Sequence, residues 1–200
     1  MALNHYFSKR PAVKPRYGLV RVYLRGRFFQ FLTASGVFSQ KRIDLGTRLL
    51  IESMVLPEKG NVLDLGCGYG AIGIVAATMR PLIYVYMVDV NERAVQLARG
   101  NARRNRVSNV KFRNGFLYES VDCVKFEAIL SNPPISAGLK VVLPIIRQAP
   151  MHLSSEGFLQ VVIRSKIGGK RLSSIMKEAF GNVEILARKS GYQVLLSKKP

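Results

Sequence analysis

Three stretches of this chain combine residue types and spacings suited to chemistry on a nucleotide-like ligand. The first is Val62-Leu63-Asp64-Leu65-Gly66-Cys67-Gly68-Tyr69-Gly70. Apolar strand formers lead into glycines at every second position, where a chain turns sharply and a ligand can reach its backbone. A helix starting near Ala71 would aim its free N–H groups at that loop. A plain strand-to-helix turn is the alternative. The second is Asp89, which closes another apolar run 25 residues after Asp64. At the carboxyl ends of neighbouring parallel strands such an acid accepts hydrogen bonds from a ribose diol; a helix cap is the alternative. The loop departs from the dehydrogenase type, because Asp64 precedes the first glycine by two and the third-glycine spacing differs. The third is Asn132-Pro133-Pro134-Ile135. Two consecutive prolines hold the backbone stiff and extended. They fix the Asn132 amide oxygen and the Pro133 carbonyl as paired acceptors for a planar NH2 group. Hydrogen bonds to both of its hydrogens turn the nitrogen lone pair toward an electrophile, and the proton can leave afterwards. A rigid turn without such a role is the alternative.

These groups need a frame. From Val62 onward, apolar runs alternate with helical patterns. Strands are expected over 62–65, 82–88, 110–113, 126–130, 157–163, 183–187 and 192–196. Helices are expected over 43–55, 71–79, 91–104, 139–153 and 172–179, with Asn91 as an N-cap. The alternation predicts an α/β, doubly wound, mostly parallel seven-stranded sheet whose last strand is antiparallel. Before it, 19–24 and 28–32 alternate like a hairpin around Arg25-Gly26-Arg27, with Gly36-Val37-Phe38 as a candidate continuation. We therefore expect a basic N-terminal arm and β hairpin over 1–37 and one α/β domain over 38–200. Arg21, Arg25 and Arg27 are candidate phosphate contacts, or else a solvated strand face.

The composition is that of a globular chain: 200 residues, 48% hydrophobic. Its unusual quantity is a net charge of +19. A surface this basic repels itself unless an acidic partner neutralises it, so nucleic acid is the first candidate. The charge comes in blocks: ten Lys/Arg against Asp44 alone over 1–48, six against none over 99–115, nine against two over 164–200. The remaining stretches hold six against nine acids and include the glycine loop, Asp89 and Asn132. Cys67 and Cys123 lie far apart, and the histidines are His5 and His152, so neither zinc-ligand spacing nor a disulfide framework is present. No apolar run approaches the length of a membrane span and none suits a signal peptide, which makes a cytoplasmic setting the expectation.

Together these motifs resemble class I S-adenosylmethionine-dependent methyltransferases, within them the "methyltransferase small" group that includes rRNA guanine-N2 methyltransferases. The likeness covers roughly 38–196. It rests on Phe38-Ser39 followed by Asp44-Leu45-Gly46-Thr47, on the glycine stretch, on Val88-Asp89-Val90-Asn91-Glu92-Arg93-Ala94, and on Ser131-Asn132-Pro133-Pro134-Ile135. The resemblance implies a Rossmann-like methyltransferase fold and S-adenosyl-L-methionine as cofactor, with no metal. It places Asp64, Gly66, Cys67, Gly68 and Gly70 at the methionine end, Asp89 at the ribose, and Val90 at the adenine. Asn132, Pro133 and Pro134 become the catalytic set, while Thr47 and Phe38 lie near the pocket. Two departures stand out. The acid expected after the third strand is replaced by Asn114-Gly115-Phe116, which must serve the adenine instead. The aromatic expected after the two prolines is Ile135, so Phe38, Tyr69 or Phe116 would have to stack on the target base. The function implied is RNA methylation on an exocyclic amine, guanine N2 of rRNA first, with rRNA or a ribosomal particle as partner. A protein glutamine side chain, adenine N6, or a non-catalytic RNA-binding role on the same fold are the alternatives.

Overall fold

A computed structural model describes residues 9, 11, 13–134, 138–166 and 168–200. A two-stranded hairpin comes first, β1 Tyr17–Leu24 and β2 Arg27–Ala34, followed by α1 Leu45–Ser53. The α/β alternation then runs β3 Gly60–Leu65, α2 Ala71–Met79, β4 Ile83–Asp89, α3 Glu92–Arg104, β5 Val110–Asn114, β6 Phe126–Ser131, α4 Leu139–His152, β7 Leu153–Arg164, α5 Gly169–Phe180, β8 Glu184–Lys189 and β9 Tyr192–Lys198. The seven strands β3 to β9 form one sheet in the order β5-β4-β3-β6-β7-β9-β8. β9 pairs antiparallel with both β7 and β8, and the other pairings are parallel. The order reverses between β3 and β6. Ligands of open α/β sheets bind in the crevice at the carboxyl ends of such strands.

Both faces of the sheet are covered. Val62, Val85 and Ala128 meet α1, α2, α3 and the hairpin on one side. Leu63, Val88, Ile129 and Val161 meet α4 and α5 on the other. That is why the central strands read as unbroken apolar runs and not as alternating ones. The expected elements are all present, with several starts shifted, α5 beginning at Gly169 and not at 172. α1 begins later, because Asp44 caps it through Gly46 N–H (2.9 Å) and Thr47 N–H (3.1 Å). β7 starts at Leu153, several residues before Gly157.

The hairpin does not continue into Gly36-Val37-Phe38. That stretch is a turn and bend, held by Val37 N–H on Ala34 O (3.2 Å) and Asn91 Nδ2 on Gly36 O (2.8 Å). The inward face of the hairpin (Val20, Leu24, Phe29, Phe31) shares the core of α1, α2 and α3. Its β2 edge is covered by the side chains of Asn101 in α3 and of Asn105, which caps the C-terminus of that helix. Asn101 accepts from Leu32 N–H (2.7 Å) and donates to Leu32 O (2.9 Å), while Asn105 does the same to Gln30 (3.0 and 2.8 Å). Four residues apart on one helix face, they stand in for a neighbouring strand.

Candidate active site

The glycine loop folds back onto the end of β4. Gly66 N–H and Cys67 N–H both donate to Val88 O (2.8 and 3.0 Å), and Gly68 N–H donates to Asp89 Oδ2 (2.8 Å). Gly66 and Gly68 sit at φ 77° and 55°, left-handed values that disfavour a side chain. Gly70, at φ 92°, does different work. It begins α2, and a Cβ there would press on Ala98 of α3 at 3.1 Å. It lies outside the cavity wall and sets helix packing.

Asp89 is anchored by two backbone donors, Asn91 N–H on Oδ1 (2.9 Å) and Gly68 N–H on Oδ2 (2.8 Å), which leaves further lone pairs on each oxygen. Burial raises its pKa, against the lowering effect of those two donors. Asp64 is wholly buried behind the loop. Its Oδ2 accepts from Gly73 N–H (2.8 Å), while Oδ1 has no hydrogen-bond partner. Burial pushes this carboxyl up to about 7, opposed by the Gly73 N–H and helped by the charge of Asp89.

Asn132 follows β6, whose last residue, Ser131, ties Oγ to Leu65 O (2.8 Å) and locks the ends of β6 and β3 together. The Asn132 Nδ2 group donates to Thr47 Oγ1 (2.8 Å) and Asp44 Oδ2 (3.2 Å). Both amide hydrogens are thereby used, which fixes the flip and leaves Oδ1 as a free acceptor. Asp44 thus caps α1 and orients Asn132 at once. On the same side, Tyr192 at the start of β9 packs so close to the 44–47 turn that a Cβ on Gly46 would meet its ring at 2.9 Å. Arg164 donates Nε to Tyr192 Oη (2.9 Å) and lies over the ring at 5.3 Å.

These groups surround a cavity of about 570 Å³, a volume suited to a small-molecule ligand. Gly66, Cys67, Gly68, Asp89 and Val90 line it, as do Gly115 and Phe116, and on the opposite wall Phe38, Thr47, Asn132, Pro133 and Pro134. Some expected residues are elsewhere. Asn114 is exposed and outside the wall; its Nδ2 donates to Asp89 O and Val90 O (3.0 Å each), so it buttresses the end of β4. Tyr69 reaches the wall but is buried against Phe31 (5.8 Å between centroids), which removes it as a free stacking face. Arg25 is consumed by the C-terminus of α1, donating to Met54 O (2.8 Å) and Ile51 O (3.3 Å). Arg21 and Arg27 are exposed on the hairpin, away from the cavity. Ile135 lies outside the described residues. Sequence reasoning missed the positioning role of Asp44 and the Arg164–Tyr192 pair. Only the first had a signal, an acid three residues before Thr47 at a helix start. Among the described residues no cluster of three or more His, Cys, Asp or Glu could hold a metal.

The model of the methyltransferase small domain family matches residues 29–196. The chain belongs to the methyltransferase small domain family. Like its family, it is an S-adenosylmethionine-dependent methyltransferase. It is 42% identical over 198 residues to the uncharacterized protein YbxB of Bacillus subtilis, covering 98% of each chain. It is 33% identical over 172 residues to the ribosomal RNA small subunit methyltransferase C of Photorhabdus laumondii, covering 84% of this chain and 49% of that one. Among solved structures it resembles the T. thermophilus 16S rRNA N2 methyltransferase RsmC in complex with AdoMet and guanosine. The TM-score is 0.83 at 23% identity, over 92% of this chain and 51% of that one. The chain thus spans about half the length of these two rRNA methyltransferases. Other methyltransferase folds match at lower scores, among them a ribosomal protein L11 methylase from Lactobacillus delbrueckii (TM-score 0.58, 23% identity, 70% of each chain).

The residues present fit the family's cofactor. Asp89 lines the cavity and offers two fixed carboxylate oxygens to a diol. Asp64 lies behind the wall and not on it, its unpartnered Oδ1 a buried carboxyl oxygen beneath the loop that suits a cationic ligand end on the loop's far side.

Proposed function

We propose that this small-domain methyltransferase modifies an exocyclic amine of RNA, with N2 of a guanine in rRNA as target. The observation that carries this reading is the Asn132 amide, held by Thr47 and Asp44 so that Oδ1 is the free acceptor beside two prolines. When bound, S-adenosylmethionine supplies an electrophilic methyl group. The loop over 66–68, with Asp64 buried behind it, would hold its amino-acid end, Asp89 would hold the ribose, and Val90, Gly115 and Phe116 would hold the adenine. Asn132 Oδ1 and the Pro133 carbonyl each accept one hydrogen of the target amine, turning its lone pair toward the methyl. The amine proton leaves to solvent after transfer, so no strong base is required. Rate enhancement comes from positioning and from dipoles that are fixed before the substrate arrives.

A base must leave its stack to enter such a cavity. Tyr192 is covered by Arg164 and packed on the turn that orients Asn132, so Phe38, half-exposed at the cavity wall, supplies the aromatic face that position 135 lacks. Support for rRNA comes from the relatives that carry that activity in their names and from the +19 charge. An rRNA substrate would place the protein in the cytoplasm; among the described residues no helix is long and apolar enough to cross a membrane. The test is labelled methyl transfer to rRNA from cells lacking the protein, followed by nucleoside mapping. N2-methylguanosine is expected. Label in N6-methyladenosine, or in protein alone, overturns the assignment.

A further inference from the structure

At the end of α3 remote from the cavity lies a second concavity, a groove of about 750 Å³. Arg27 and Phe28 line it from the hairpin turn, Thr78 from α2, and Arg103, Arg104 and Arg106 from the end of α3. No acid lines it, and none occurs between residues 99 and 115. Among the described residues, none of these four guanidinium groups has a carboxylate or carbonyl partner, in contrast to Arg25 and Arg93. The C-terminus of α3 supplies only about half a negative charge, so more than three positive charges are left without compensation. Four arginines gathered in one groove repel one another unless an anion with several charges occupies it.

The neighbouring surface indicates what kind of anion. Phe28 is 63% exposed and pairs across the hairpin with Tyr23, which is 60% exposed. Behind them on the same outward face follow Arg21 opposite Gln30, then Leu19 and Tyr17. This stripe spans about 20 Å at strand rise and ends where Val37 and Phe38 enter the cavity wall. Aromatic faces interleaved with free arginines bind single-stranded nucleic acid, the cations taking phosphates and the rings taking bases.

We propose that the groove of Arg27, Arg103, Arg104 and Arg106 is a second RNA site. It grips the phosphodiester backbone of a single-stranded segment flanking the target nucleotide, with Phe28 and Tyr23 as a stacking platform. The proposal rests on RNA being the substrate and adds where, away from the reacting base, that RNA is held.

The test measures binding of a single-stranded rRNA fragment by anisotropy across salt concentrations, with calorimetric binding of S-adenosylmethionine as the control for folding. In the triple variant Arg27→Ala/Arg103→Ala/Arg104→Ala the slope of log K against log salt should fall by about two, because each lost phosphate contact on a single strand removes about 0.7. The matched variant Lys170→Ala/Arg171→Ala/Lys177→Ala removes the same charge from the exposed side of α5 and should leave the slope unchanged. Phe28→Ala should weaken binding about tenfold at constant slope. Equal loss in both triple variants means diffuse attraction and overturns the groove, as does an unchanged slope in the first. Failure of the unaltered protein to bind or methylate RNA would instead remove the RNA reading itself, and the groove with it.

Discussion

Substitution of Asp64 by Asn should abolish a pH dependence of stability that the native chain carries. The carboxyl is wholly buried, with one oxygen bonded to Gly73 N–H and the other unpartnered. Its folded pKa of about 7 stands above the ordinary carboxyl value of 3.8. Between those values the folded chain holds a proton that the unfolded chain has released. Stability of the ligand-free protein therefore falls as pH rises through that window and is flat on either side. Roughly three pH units at 1.36 kcal/mol each give about 4 kcal/mol. Asn mimics the protonated acid at every pH, so the variant lacks this slope. Asp89, raised by burial, and His152, lowered by burial, titrate in both chains and largely cancel in the difference. The assay is urea unfolding at steps from pH 4 to 8, without cofactor. The difference in unfolding free energy, native minus variant, should drop by about 4 kcal/mol over that range, or ~2 M in midpoint at an m-value near 2 kcal/mol/M. A difference that stays constant within about 1 kcal/mol, or that rises with pH, refutes the reasoning.

Asn132→Ala should retain cofactor affinity in calorimetry while methyl transfer falls at least about a hundredfold, and near-normal turnover would take Asn132 out of its role. Asp44→Ala removes the α1 cap and an anchor of Asn132 together. It should cost about 1 kcal/mol in unfolding and lower kcat more than it alters KM for RNA. Arg25→Ala exposes the carbonyls of Ile51 and Met54. Stability should drop by about 1–3 kcal/mol with the salt slope of RNA binding unchanged, and a reduced slope would return Arg25 to the RNA surface.

The fold was legible because parallel strands buried on both faces are apolar without interruption, as in Val62-Leu63 and Ala128-Ile129-Leu130. The first turn of β7 was hidden because Ser154, Ser155 and Glu156 are polar there, on a stretch not buried like the rest of the strand. Asp89 and Asn132 could be read because each closes an apolar run, and strand ends are where such a sheet binds ligands. Arg164 and Tyr192 could not. They join Asn132 at the cavity wall only through the strand order β6-β7-β9, which no local pattern encodes. Arg25 is indistinguishable in sequence from its neighbours Arg21 and Arg27, and only the α1 terminus beneath it sets it apart. Asn114 misled for a related reason: a polar side chain at the end of a strand can serve the strand itself.

The paired asparagines on α3 also order events in time. β2 leaves the ribosome well before Asn101 and Asn105, which lie 69 and 75 residues beyond the backbone they hold. At roughly 5–20 residues per second, synthesis of that interval takes about 4–15 s. During it, the hairpin carries Phe29 and Phe31 without their helix, and β2 shows a bare edge to any other strand nearby. The nascent hairpin is therefore the segment most in need of a chaperone or of rapid synthesis. Slowing translation between codons 35 and 105 should cost more soluble protein than slowing it anywhere after.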